Sequence, residues 1–88
     1  MKTVTIISSK TCPWCVKVKE LLKMHDISYD EWIPDDVMTL SNILATYNVN
    51  TVPQVFTGGD PRNPEDKEGL FRIGGYEATQ AWINDQYH

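Results

Sequence analysis

Cys12-Pro13-Trp14-Cys15 constrains this chain more than any other feature. These are its 2 cysteines, and they follow directly on the apolar, β-branched run Val4-Thr5-Ile6-Ile7. A bridge between them closes a very small loop, so it removes little entropy from the unfolded chain and stabilises little. A strand leading straight into such a pair, with proline just inside the helix that follows, predicts a dithiol that is made and broken. The plainer alternative, two helix-start cysteines without a role, leaves that placement unexplained.

With 88 residues the chain has the length of one domain, residues 1–88, and its core must be small. Two cysteines are too few for a closed zinc site, and His25 and His88 do not stand at zinc-finger spacing, so no metal is expected. No signal-peptide pattern opens the sequence and no run is long enough to span a membrane. A reducing, cytoplasmic setting is therefore expected, where such a pair is catalytic or redox-sensing. The net charge of -4 argues against a nucleic-acid or anionic-membrane partner. The charge is uneven: Lys10, Lys17, Lys19 and Lys23 surround the motif, opposed only by Glu20, while the acidic excess lies at residues 30–36 and 60–68.

The pattern predicts strands over Thr3–Ser8, Ile27–Ile33, Val52–Thr57 and Leu70–Ile73. Helices are expected over Pro13–Met24, from Pro34-Asp35-Asp36 to Asn48, and from Tyr76 to about Tyr87. In the first, Cys15, Val18, Leu21 and Leu22 should face the core while Lys17, Lys19 and Lys23 are solvated. Val37, Leu40, Ile43, Leu44 and Tyr47 should line the second, and Ala78, Ala81, Trp82 and Ile83 should pack the third. The segment from Gly58 to Gly69 reads as a polar loop, either a solvated insertion or a partner contact. The order β-α-β-α-β-β-α implies an α/β fold: a four-stranded mixed sheet with three helices on both its faces, its first two strands parallel through a right-handed crossover.

The chemistry follows from helix geometry. With Pro13 at the first helical position, Cys12 is the N-cap, aimed at the free N–H groups of Trp14 and Cys15 and at the positive end of the helix dipole. Lys10 and Lys17 add positive potential. A thiolate, the nucleophile of disulfide exchange, is favoured there. Cys15, one turn in, should be more buried, so Cys12 attacks and Cys15 resolves. Trp14 is either a partly buried anchor or a flat wall for substrate. His25 should be a surface or helix-capping residue and His88 a frayed terminus.

Lys10-Thr11-Cys12-Pro13-Trp14-Cys15 resembles the glutaredoxin signature. Two further blocks resemble the family in order: Thr51-Val52-Pro53-Gln54-Val55-Phe56, similar to its Thr-Val-Pro segment, and Gly74-Gly75-Tyr76-Glu77, similar to its Gly-Gly-x-Asp segment. The resemblance implies a thioredoxin-like fold, glutathione as co-substrate rather than a tightly bound cofactor, and a glutathione-dependent thiol–disulfide oxidoreductase acting as a monomer. It implies that Pro53 is a cis proline; a trans proline at a strand start is the alternative. The Val52 backbone would then pair with glutathione as with an added strand, alongside Thr51. It also implies that Gly75 and the amides of Tyr76 and Glu77 hold the γ-glutamyl carboxylate. Lys10 would reach the glycine carboxylate, or else remain a solvated charge. Implied partners are disulfide or glutathionylated client proteins, ribonucleotide reductase among them. The sequence differs from the family pattern in Trp14 where tyrosine is commoner, in Glu77 where aspartate is usual, and in its longer 58–69 loop. Two other roles remain open beside the leading one: a glutaredoxin-like redoxin reduced by thioredoxin reductase, and an iron–sulfur carrier in which two chains share a cluster through Cys12 and two glutathiones.

Overall fold

The computed structural model describes residues 4–62 and 69–86. Its elements are β1 (Val4–Ile7), α1 (Pro13–Met24), β2 (Tyr29–Trp32), α2 (Val37–Thr46), β3 (Gln54–Thr57), β4 (Phe71–Gly74) and α3 (Tyr76–Gln86). The strands form one mixed sheet in the order β2-β1-β3-β4. β1 runs parallel to β2, with Val4 opposite Tyr29 and Ile7 opposite Trp32. β3 is antiparallel to both β1 and β4. The expected fold is the observed one; Thr3, the centre of the 58–69 loop and the end of the last helix at Tyr87 lie outside the described residues.

Alternation along the strands divides the core into two layers. Val4, Ile6 and Val55 meet Val18, Leu21 and Leu22 of α1 and Ile83 of α3 on one face. Ile7 and Phe56 meet Leu44 on the other, backed by Leu40 and Ile43 of α2 and by its C-cap Tyr47. All four residues of β1 and of β3 are buried, as central strands covered on both faces must be.

Some details differ from the expectation. β3 starts at Gln54 rather than Val52. Pro53 has no N–H to give to a ladder, and the Val52-Pro53 peptide is cis. β4 is shifted by one residue and includes Gly74, which sits at φ +126. A Cβ there would lie 2.9 Å from that of Ala78, so glycine is what lets α3 follow β4 so closely. In α3 the buried residues are Thr79 and Ile83, while Ala78 and Ala81 are exposed. The Thr79 hydroxyl is satisfied by donating to the Gly75 carbonyl at 2.7 Å. Val37, at the first turn of α2, is 81% exposed: it precedes the stretch of the helix that meets the sheet.

Lys19 is not simply solvated. Its Nζ lies 2.8 Å from Glu31 on β2, and the Ser8 hydroxyl donates to the same carboxylate at 2.7 Å. These contacts pin α1 to the sheet edge. The bond from Lys19 holds the Glu31 carboxyl below its ordinary pKa, against the opposing effect of burial. The described start of the 58–69 loop is also tied down. Pro61 is buried, Arg62 pairs with Asp60 and reaches Asp30 on β2, and the Tyr47 hydroxyl meets the Pro61 carbonyl at 3.5 Å. That segment is docked on the sheet rather than loosely solvated; residues 63–68 lie outside the described residues.

Candidate active site

Cys12 caps α1 from an extended backbone conformation. Its Sγ accepts from the Cys15 N–H at 3.1 Å, and its carbonyl accepts from Cys15 and Val16. The sulfur thus shares the Cys15 amide of the first turn with the Cys12 carbonyl, and it is the Cys15 amide rather than that of Trp14 that meets it. Pro13 stands at the start of the helix, where its missing N–H is not needed. In this structure Cys12 and Cys15 are joined as a disulfide, their Cα atoms 5.2 Å apart. Cys15 is 1% exposed and Cys12 is half-buried, the asymmetry expected of a resolving and an attacking sulfur.

A groove of about 420 Å³ is lined by Trp14 of the motif, though by neither Cys12 nor Cys15. One wall is Thr51, Val52 and Pro53; the other is the turn Gly75 to Ala78. Trp14 is 52% exposed, and its ring stands 5.7 Å from the Tyr76 ring at a tilt of 49°. The Lys17 ammonium sits 4.4 Å from the Trp14 ring centroid, a cation–π contact beside the cysteine motif.

The Gly75 carbonyl accepts from Thr79, which makes Gly75 the cap of α3. The amides of the next three residues therefore have no carbonyl partner within the helix and face an anion-favouring end. Glu77 lies in that first turn, exposed. Of the residues expected at the binding site, Trp14, Thr51, Val52, Pro53, Gly75, Tyr76 and Glu77 share this one groove. Lys10 does not line it; it is an exposed residue of the loop before Cys12. His25 is exposed and caps the C-terminus of α1.

Two residues that sequence reasoning did not assign stand behind the groove. Gln54 is buried, and its side-chain amide donates to the Thr51 carbonyl at 3.0 Å and approaches the Thr51 hydroxyl at 3.4 Å. Its Oε1 accepts from the Arg72 guanidinium at 3.2 Å. A long amide side chain at the head of a strand whose next two residues are Val55 and Phe56 was the signal available for Gln54.

A parallel–antiparallel sheet with a Cys-x-x-Cys pair at the start of its first helix, and a cis proline in the facing wall, defines a thiol–disulfide exchange protein of the thioredoxin-like class. The glutaredoxin family model matches residues 4–61, and the chain belongs to that family of thiol oxidoreductases. The chain is similar to glutaredoxin 1 from Francisella tularensis, solved in complex with cacodylate, at 27% identity and a TM-score of 0.76 over 97% of this chain and 95% of that one. It shares the fold of a glutaredoxin from Brucella melitensis at 22% identity and a TM-score of 0.68, over 96% of this chain and 80% of that one. It is also 36% identical over 58 residues to the hybrid peroxiredoxin hyPrx5 of Haemophilus influenzae; the match takes in 66% of this chain and 24% of that protein. The chain thus spans about a quarter of that relative's length. Among the described residues no helix is long and apolar enough to cross a membrane.

Proposed function

We propose that this protein is a glutathione-dependent thiol–disulfide oxidoreductase, with Cys12 as nucleophile and Cys15 as resolving thiol. The observation that carries the reading is the groove that joins Trp14 of the cysteine motif to Thr51-Val52-Pro53 and the start of α3. Free amides at that helix end suit the γ-glutamyl carboxylate, and Glu77 suits the adjacent ammonium. The Val52 backbone suits an extended tripeptide. Lys10 serves, at most, a carboxylate that extends beyond the groove. A reducing compartment such as the cytoplasm fits a pair that must be returned to the dithiol.

In the dithiol cycle the Cys12 thiolate attacks one sulfur of a client disulfide. A mixed disulfide forms and the client's other sulfur leaves as a thiolate. Cys15 gives up its proton and attacks the Cys12 sulfur; the client leaves reduced and the Cys12–Cys15 disulfide remains. One glutathione thiolate opens that disulfide at Cys12, and a second attacks the sulfur of the bound glutathione. Oxidised glutathione departs and both cysteines are reduced, so two electrons pass from two glutathiones to the client. On a glutathionylated client Cys12 takes the glutathione itself, and Cys15 is not needed. The similarity to part of a protein named a hybrid peroxiredoxin supports a redoxin role and leaves the client open, ribonucleotide reductase included.

The test is turnover of an S-glutathionylated peptide with glutathione and glutathione reductase, against turnover of a disulfide substrate with thioredoxin reductase. Turnover with glutathione supports the reading. Turnover confined to thioredoxin reductase would replace it with the redoxin alternative. An absorbing cluster in anaerobically purified protein would point to the iron–sulfur role instead.

A further inference from the structure

The segment 50–53 forms one wall of the groove yet belongs to no helix or strand. Among the described residues no backbone–backbone hydrogen bond outside the regular elements reaches it. What holds Thr51 is the side chain of Gln54, through its contacts at 3.0 and 3.4 Å. Gln54 is itself oriented. Arg72 is a donor only, so the bond at 3.2 Å fixes the amide oxygen toward β4 and the amide nitrogen toward Thr51. β4 then runs through Gly74 into Gly75, Tyr76 and Glu77, the opposite wall. The chain of contacts Arg72 to Gln54 to Thr51 therefore ties one wall of the groove to the strand that carries the other.

We infer that Gln54 and Arg72 are positioning residues that set the spacing of the two walls, and so the affinity for the extended thiol-bearing segment seated between them. Neither lines the groove. A buried amide bonded at both its ends transmits position because its alternative is an unpaired polar group in the core. A wall held this way is ordered before the ligand arrives, so ordering it does not weaken binding. The inference deepens the proposed function and rests on it for the identity of the ligand, though not for the existence of the tie.

The test is steady-state kinetics of Gln54→Met and Arg72→Met, with Arg72→Lys as the conservative variant and the melting temperature of each as control. Gln54→Met keeps length and burial while removing the hydrogen bonds to Thr51 and to Arg72. KM for an S-glutathionylated peptide should rise roughly fivefold, the equivalent of one lost hydrogen bond, with kcat within about twofold of wild type. Arg72→Met should raise KM in the same direction, and Arg72→Lys, which can still donate to Gln54, should recover most of the loss. Unchanged KM in both Met variants would overturn the inference. So would kcat and KM effects that track the melting temperature, since these mark a merely structural role. Arg72 is exposed, so its variants keep the test valid if Gln54→Met does not fold. The same variants are measured on a peptide disulfide with dithiothreitol as reductant. If wild type turns over only there, the glutathione reading fails, and the KM comparison on that substrate still decides the role of Gln54 and Arg72.

Discussion

Cys12 sits where three influences on a sulfur converge: an N-cap position, a hydrogen bond from the Cys15 amide at 3.1 Å, and the Lys17 ammonium held over the adjoining Trp14 ring. Each favours the thiolate over the thiol. Alkylation of the reduced protein by iodoacetamide should therefore show a midpoint well below the value of about 8.5 for a free cysteine. A midpoint at the free value would mean that the helix end does not activate the sulfur. Glu77 allows a second residue-scale test. Glu77→Gln keeps shape and removes charge, so glutathione-dependent turnover should fall about tenfold or more, the equivalent of losing a charge-assisted contact of about 1.5–3 kcal/mol. The melting temperature should hardly move. Unchanged turnover with a lowered melting temperature would reduce Glu77 to a helix-dipole residue.

The contact between α1 and β2 carries a pH dependence at the level of elements. Glu31 has its pKa lowered, first by the bond from Lys19 and further by Ser8. A carboxylate with a depressed folded-state pKa contributes stability that is fully present above its unfolded value, about 4.3. That contribution is lost as pH falls through the lower folded value. Glu31→Gln should flatten the loss of urea stability on acidification through this window and leave the slope near neutral pH unchanged; an identical acid limb would sink the assignment. This pairing was not legible in the sequence, because periodicity places Lys19 on the outer stripe of α1 and cannot show that β2 ends beneath it. α1 itself was legible to the residue, since Pro13 and a capping Cys12 mark its start and Cys15, Val18, Leu21 and Leu22 mark its inner face. The groove was legible only through the family resemblance of its two walls. Gln54 and Arg72 were not, because a buried amide has meaning only with its partners, and those come from a loop and a strand apart in sequence. The exposure of Val37 and the burial of Thr79 have the same origin: helical spacing gives a face, not where along the helix the sheet begins.

For the whole molecule, the central strands β1 and β3 are covered on both sides, and the cysteine pair and the cis proline leave the same end of them. Site and core are therefore one construction. Phe56 is fully buried and packs against Tyr47, the ring centroids 4.8 Å apart at a tilt of 59°. Phe56→Ala should cost about 3–5 kcal/mol in urea denaturation, a large share of what so small a domain can have. A loss below about 1 kcal/mol would show that the α2 layer does not hold the sheet. The central claim is that Cys12 alone begins exchange and that glutathione completes it. The direct measurement is glutathione-coupled turnover of an S-glutathionylated peptide by wild type, Cys12→Ser and Cys15→Ser. Wild type and Cys15→Ser should turn over and Cys12→Ser should not, with reduction of a protein disulfide surviving only in wild type. Activity retained by Cys12→Ser, or abolished deglutathionylation in Cys15→Ser, would contradict it.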